Sequence, residues 1–273
     1  MRRPGGALLL NGALVALAVL TAAPLLWMVS ASFMSPGESS TFPPPLLPAH
    51  PTLGNYAALF TRLHLARNFM NSVVIAVVGT VVSVLVNSMA GYAFAKLRFR
   101  GRDRLFQLLL VALVVPTQVG MLPLFLQLKA MGLVNTPLGV MIPYLSGVFG
   151  IFMVRQYALS IPDDLLDAAR IDGAGEFRIF FGIVLPVVRP ILVTLASFSF
   201  LSAWNDFLWP LIVLSDSSRF TLPVALASLA GEHIQDAELM MAGAVLTVLP
   251  VILLFLVLQR FYTEGVMRGS LKG

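Results

Sequence analysis

The sequence predicts an all-α, polytopic transmembrane helical bundle of six spans. Three observations lead there. Hydrophobic residues make up 58% of the chain and charged ones only 11%, against roughly a quarter charged in an ordinary soluble domain. Long uncharged runs recur along the 273 residues. Lys and Arg gather on alternate sides of those runs, as they do around membrane spans. A soluble fold of this size has nowhere to hide so much apolar surface, which excludes a water-soluble enzyme. With no cysteine, a disulfide framework, a zinc-thiolate site and a Cys nucleophile are excluded too.

The uncharged runs cover 4–37, 68–95, 105–128, 130–154 and 239–259, and a further apolar stretch, fifth in order, covers 184–214. Each is long enough to cross a hydrocarbon core of ~30 Å as a helix. They are continuous rather than alternating, which favours helices over a barrel. The first begins like a signal peptide, with Arg2 and Arg3 before Ala7–Leu20, but stays apolar through Trp27 to Phe33, too long for a cleavable core. It is read as a retained first helix. A proline-rich loop follows, with Pro36, Pro43, Pro44, Pro45, Pro48 and Pro51. The fifth run holds Arg189 near its start and Asp206 well inside. Pro116 and Pro123 in the third, and Pro143 in the fourth, are expected to kink or end helices. The resulting organisation is 1–67 (first helix and outer loop), 68–260 (five-helix core) and 261–273 (C-terminal tail).

Orientation follows from charge. With the N-terminus inside, the inner side holds Arg2, Arg3, Lys96, Arg98, Arg100, Arg102, Arg104, Arg155, Arg170, Arg178, Arg189, Arg260, Arg268 and Lys272. Only Arg62, Arg67, Lys129 and Arg219 fall outside. Fourteen against four places both termini in the cytoplasm of a multi-pass cell-membrane protein. Tyr92, Tyr157 and Tyr262 then lie near inner helix ends, and Trp27 and Trp209 near outer ones. Most of the basic surplus is topological, and no nucleic-acid partner is expected.

One inner loop, 160–186, is far longer than a connection requires. Ser160 with Asp163 three residues on resembles a capping box, with Pro162 in the first turn. Asp163, Asp164 and Asp167 complement the helix dipole, and Gly173 offers a C-terminal stop. A second short helix is expected from Ala174 or Glu176. Leu165, Ala168, Ala169 and Asp172 recur at helical spacing, and the two alanines permit close approach by another surface. The acidic bias argues against a helix merely resting on anionic lipid.

Asp167-Ala-Ala-Arg-Ile-Asp-Gly173 followed by Ile183-Val-Leu-Pro186 resembles the "EAA" loop of ABC importer permeases, with Asp167 in place of the usual Glu. Asn55-Tyr56, Phe69-Met-Asn-Ser72, Trp204-Asn-Asp-Phe207 with Trp209-Pro-Leu211, Gln259-Arg260 and the ending Gly269-Ser-Leu-Lys-Gly273 resemble further segments of the MalG-like carbohydrate permeases in this binding-protein-dependent family. The resemblance spans essentially the whole chain. It implies a type I importer permease fold in which 160–186 is a cytoplasmic coupling element. Asp167, Ala168, Ala169, Asp172, Gly173, Leu185 and Pro186 are then the residues facing an ATPase. The implied partners are a second permease subunit in a heterodimer, two ATPase subunits and an extracytoplasmic substrate-binding protein, with a sugar or oligosaccharide as substrate. No phosphate-binding Gly-x-x-x-x-Gly-Lys motif is present. ATP and Mg are therefore expected on the partner ATPase, with no cofactor and no catalytic residue on this chain.

Asp206 is the one acid inside a span, and such residues usually face a polar interior. With Ser199 and Ser202 it makes a polar stripe. One reading is the wall of a translocation path; the other is a cap or hydrogen bond to a neighbouring helix. Gly79, Ser83, Asn87 and Gly91, spaced by four, read first as close helix packing and second, at Asn87, as pore lining. His50, His64 and His233 have no metal-ligand spacing, so no metal is expected. Asp163 and Asp164 lack an adjoining base and read as a solvated helix start. An ion- or proton-coupled secondary transporter is the alternative, but it would require more intramembrane charge or visible repeats. A membrane-embedded hydrolase or transferase would need a catalytic cluster that the sequence lacks.

Overall fold

The structure is a computed structural model that describes residues 4–61, 65–232 and 236–270. Its α-helices in chain order are α1 (Pro4–Ala31), α2 (Gly54–Thr61), α3 (Leu65–Lys96), α4 (Arg102–Ala112), α5 (Met121–Ala130), α6 (Pro137–Met141), α7 (Val148–Ala158), α8 (Asp163–Ile171), α9 (Glu176–Ile179), α10 (Leu185–Val187), α11 (Arg189–Asn205), α12 (Leu208–Val213), α13 (Leu222–Glu232) and α14 (Ala237–Ser270). No strand occurs among the described residues. His64 and His233 lie outside them, as does the terminal stretch 271–273.

Three helices are long and apolar enough to cross a membrane unaided: 10–31, 65–96 and 237–259. The other three expected spans are broken. Arg102–Ala112 and Thr117–Ala130 meet at 99°, Pro137–Tyr144 and Val148–Ala158 at 42°, and Glu176–Val187 and Arg189–Asn205 at 83°. Counting each bent pair as one span gives six. The expected interruptions at Pro116 and Pro143 fall at or next to the first two breaks, whereas a single helix over 184–214 is corrected. Pro116, extended at ψ 132, has no N–H to continue α4. At the third break Val188 is flanked by Pro186 and Pro190. A further interruption falls at Asp206, extended at ψ 127 between α11 and α12. Asp206 therefore does not continue a helical stripe from Ser199 and Ser202.

The chain divides into two compact units. This differs from the sequence-based division in grouping 225–251 with 1–66. In the first unit the end of α1 is closed by a loop rather than by a helix cap. Asn55 Nδ2 donates to the Ser32 and Met34 carbonyls, each at 2.9 Å. The Ser32 and Tyr56 hydroxyls are 2.8 Å apart. Those bonds explain why Asn55 and Tyr56 stand in an otherwise apolar stretch. Glu38 accepts from the Ala49 and Ser35 amides at 2.6 and 2.9 Å, and those two N–H groups, Ala49 first, hold its carboxyl below the ordinary carboxylate range. Buried Glu238 accepts from Ser39 N at 2.7 Å.

The second unit, 67–224 with 252–273, packs around α3. A Cβ on Gly91 would sit 2.7 Å from Val154 Cβ, so α3 and α7 touch closely there, as small residues at spacing four suggest. One core cluster joins Tyr92, Ala95, Ala158, Ile161, Leu166, Ile179, Phe180, Val184 and Val188. A second joins Ile75, Leu128, Val140, Met141, Trp209, Val213 and Leu214. Asn68, Asn71 and Ser72 hold the 217–222 segment: Asn68 donates to Ser217 O at 2.8 Å, Asn71 to Ser218 O at 3.0 Å, and Ser72 Oγ accepts from Leu222 N at 2.7 Å.

Candidate functional sites: the α8 hairpin and a polar cavity

At the Lys96 end of α3, α8 lies across the second unit. Its start differs from expectation: Pro162 is the N-cap, with no side-chain cap, and the Ser160 hydroxyl donates backward to Tyr157 O at 2.7 Å. Prolyl φ pre-sets the entry, and three acids near the first turn supply the dipole complement. Lys96 Nζ replaces the missing cap as an anchor, donating at 2.6 Å both to Ile161 O and to Asp163 Oδ1. That hydrogen bond and the lysine charge hold the Asp163 carboxyl below its usual range.

The end of α8 is a Schellman turn. Ala174 N donates to Ala169 O at 2.9 Å and Gly173 N to Arg170 O at 3.0 Å, with Gly173 at φ +81. Ala169 and Ala174 both pack on the core cluster, and Leu166 is fully buried in it. So Ala169 faces inward, whereas Leu165, Ala168 and Asp172 are exposed. The expected four-residue outward face is corrected to three. Beside them Ile171 is 87% and Phe177 69% exposed. These two apolar residues are the signal that helical spacing missed, because they flank the turn rather than recur along the helix.

An ionic chain braces the hairpin. Arg170 Nη1 donates to Asp167 Oδ1 at 2.6 Å and Arg170 Nε to Glu176 Oε1 at 2.9 Å; Tyr92 OH donates to Glu176 Oε2 at 2.6 Å. Glu176 first, then Asp167, raises the Arg170 pKa, so the guanidinium stays charged. Arg170, Glu176, Tyr92 and Lys96 were not read as site residues from sequence. Tyr92 and Lys96 are distant along the chain from the hairpin, and α3 crossing α8 brings them to Glu176 and Asp163. Leu185 packs on the core, and Pro186 is exposed in α10.

Away from α8, a cavity of about 220 Å³ opens between α3, α7 and α11, lined by Ser83, Asn87, Tyr144, Ser146, Phe149, Phe198, Ser199 and Ser202 among others. The structure brings Asn87, Ser199 and Ser202 together. Asn87 is buried and hydrogen-bonded at both ends: Nδ2 donates to Ser83 Oγ at 2.9 Å, and Oδ1 accepts from Gly147 N at 3.0 Å, which closes the start of α7. The Ser83 and Ser199 hydroxyls are 3.4 Å apart. Phe149 and Phe198 meet edge to face at 6.1 Å. Asp206 is not in the lining. It accepts from Tyr144 OH at 2.5 Å and Trp209 N at 3.3 Å, so it braces a lining ring and caps α12.

Residues 84–268 match the family described as "Binding-protein-dependent transport system inner membrane component". The chain belongs to this family. It is similar to the "Arabinooligosaccharides transport system permease protein AraQ" of Halalkalibacterium halodurans, at 40% identity over 94% of this chain and 93% of that one. It is also similar to the "Diacetylchitobiose uptake system permease protein NgcG" of Streptomyces coelicolor, at 34% identity over 95% of this chain and 87% of that one. The fold matches a chain in the crystal structure of a bacterial ABC transporter involved in import of the acidic polysaccharide alginate, with TM-score 0.83 and 23% identity, covering 96% of this chain and 99% of that one. The protein is thus a multi-pass inner-membrane permease subunit of an ABC importer, a transporter component rather than an enzyme. It works with a substrate-binding protein, an ATPase and a second permease. The α8 hairpin, Asn87, Ser199, Ser202 and Asp206 all fall inside the family match.

Proposed function

We propose that the chain moves a sugar or oligosaccharide through a path lined by the cavity, driven by ATPase subunits that grip the α8 hairpin. The carrying observation is a rigid, core-anchored hairpin that presents Leu165, Ala168, Ile171, Asp172 and Phe177 outward. Among the described residues, nothing covers that face. Asp167, Ala168, Asp172 and Gly173 shape the contact; Ala169 and Leu185 fix it to the core, and Pro186, exposed in α10, leads on to α11, so a push on α8 reaches α11 as a rigid-body displacement. The partner is a second, different permease, and two ATPase subunits hold the ATP and Mg; this chain holds no cofactor. Both termini and α8 face the cytoplasm, consistent with the basic bias at 96–104 and 155–189.

The carbohydrate class is supported by the substrates that the two relatives are named for and by the cavity's chemistry. Hydroxyls at Ser83, Ser199 and Ser202 offer donors and acceptors to sugar hydroxyls, and Phe149 and Phe198 offer apolar faces to pyranose C–H groups. Asn87, bonded to Ser83 and Gly147, orients the wall; Asp206 sets Tyr144. The test is uptake of labelled oligosaccharides into vesicles carrying the assembled transporter and binding protein. Uptake requires internal ATP and survives an uncoupler. Uptake that collapses with the uncoupler while ATP is maintained identifies a secondary transporter instead.

A further inference from the structure

The proline-rich loop after α1 has a chemistry that transport does not use. From Ser39 to Thr61 there is no Asp, Glu, Lys or Arg, although connecting loops are ordinarily polar. Phe42 is 98% exposed, Leu46 77% and Leu47 76%. Exposed apolar clusters of this kind mark protein or membrane contacts. The backbone decides between water and lipid. Trp27 Nε1 donates to Pro45 O at 3.0 Å, and Ser30 Oγ donates to Leu46 O at 2.6 Å. The loop therefore folds back beside the last turns of α1, level with lipid-facing Leu26 and Val29, which are themselves exposed.

We propose that residues 42–47 form an interfacial anchor, with Phe42, Leu46 and Leu47 seated among lipid headgroups and upper acyl chains of the outer leaflet. Backbone near hydrocarbon must have its polar groups satisfied, and this segment is built for that. Four of the six residues 43–48 are prolines without an N–H, and the carbonyls at 45 and 46 are already bonded to α1. Glu38 closes the loop through the Ser35 and Ala49 amides. A lipid occupant is favoured over a protein because the apolar side chains adjoin the exposed flank of α1 at Leu26 and Val29, and because residues 39–61 carry no Asp, Glu, Lys or Arg. Trp27 at the same level is the interfacial residue expected there. Membrane spanning itself does not depend on this idea; only the choice of leaflet rests on the orientation proposed above.

The chain has no native cysteine, so Phe42→Cys, Leu46→Cys, Leu47→Cys and, as an aqueous reference, Ser217→Cys each give a unique labelling site. An environment-sensitive fluorophore is attached to each variant in the assembled transporter. The transporter is reconstituted in vesicles of phosphatidylethanolamine and phosphatidylglycerol, with lipids spin-labelled near the headgroup in the outer leaflet only. The labels at 42, 46 and 47 should shift to the blue, be quenched by the spin-labelled lipid and resist iodide; the label at 217 should do the reverse. Quenching only when the other leaflet carries the spin label would keep the anchor and overturn the orientation. Iodide access at all three positions would overturn the anchor, as would shielding from both quenchers, which would mean that a protein subunit covers the loop. Adding Leu46→Asp with Leu47→Asp keeps the bonded carbonyls but should release the label at 42 to iodide; unchanged lipid quenching would also overturn the proposal.

Discussion

Gly173 concentrates the coupling argument in one backbone angle. Nothing lies within 4 Å of where its Cβ would be, so a substitution there meets no clash. What it meets is φ +81, which costs a β-branched residue about 1–2 kcal/mol. Gly173→Val should therefore leave membrane abundance intact but tilt α8. ATPase subunits should dissociate on purification, or remain bound with hydrolysis no longer stimulated by loaded binding protein. Gly173→Asn, which tolerates the left-handed region, should keep coupling. Wild-type stimulation in Gly173→Val would remove the turn from the mechanism. Asp206 makes a different residue-scale case. Removing its carboxylate leaves the partly buried Tyr144 hydroxyl without its acceptor, a loss of about 1–3 kcal/mol. Asp206→Ala should lower the unfolding midpoint of the purified protein and slow uptake together, while Asp206→Asn, still an acceptor, should retain most of both. An unchanged midpoint with altered sugar selectivity would instead make Asp206 a path residue.

At the scale of elements, the α8 hairpin was legible in outline and its support was not. The acids, the Gly stop and the Ala pair are local signals, and the helix lies within the stretch they mark. Leu166, Lys96 and Tyr92 were not legible as parts of the site, because their contacts depend on α3 crossing the hairpin; the Arg170–Glu176 pair is local but spans the turn rather than a helical repeat. The breaks at Pro116 and Val188 show the same limit: proline marks where a helix is weakened, but not that it bends by 99° at the first and 83° at the second. Likewise Asp206 reads as part of a helical stripe until its extended backbone is seen. The Lys96–Asp163 bridge yields an element-scale prediction with a definite sign. Asp163 has a lowered pKa in the folded chain, so its contribution is fully present above the unfolded carboxylate pKa. It is lost as pH falls through the lowered folded value. Asp163→Asn should therefore melt below wild type by a constant margin at neutral pH, and the two curves should converge in acid. A gap that widens in acid would contradict the bridge.

For the whole molecule, the open issue is parity. Three helices cross outright, whereas the 99° pair formed by Arg102–Ala112 and Thr117–Ala130 has the geometry of either a broken span or a re-entrant loop. The choice changes everything downstream, since a re-entrant pair leaves five crossings and puts the termini on opposite sides. Charge discriminates between them. With six crossings, basic residues divide fourteen inside to four outside. With a re-entrant pair, Lys129 and Arg219 move inside, while Arg62, Arg67, Arg155, Arg170, Arg178, Arg189, Arg260, Arg268 and Lys272 fall outside, an even nine to nine. A topology without bias is not one that the positive-inside rule would select. It would also place the α8 hairpin on the face opposite the ATPase. Exposed Val114, Val119 and Leu122 around the bend then belong against lipid or the second permease, not at a cytoplasmic surface. Reporter fusions after residues 100, 132 and 270 decide it. The expected readout is inside, outside, inside. Inside, inside, outside would establish the re-entrant arrangement and require α8 to couple to something other than a cytoplasmic ATPase.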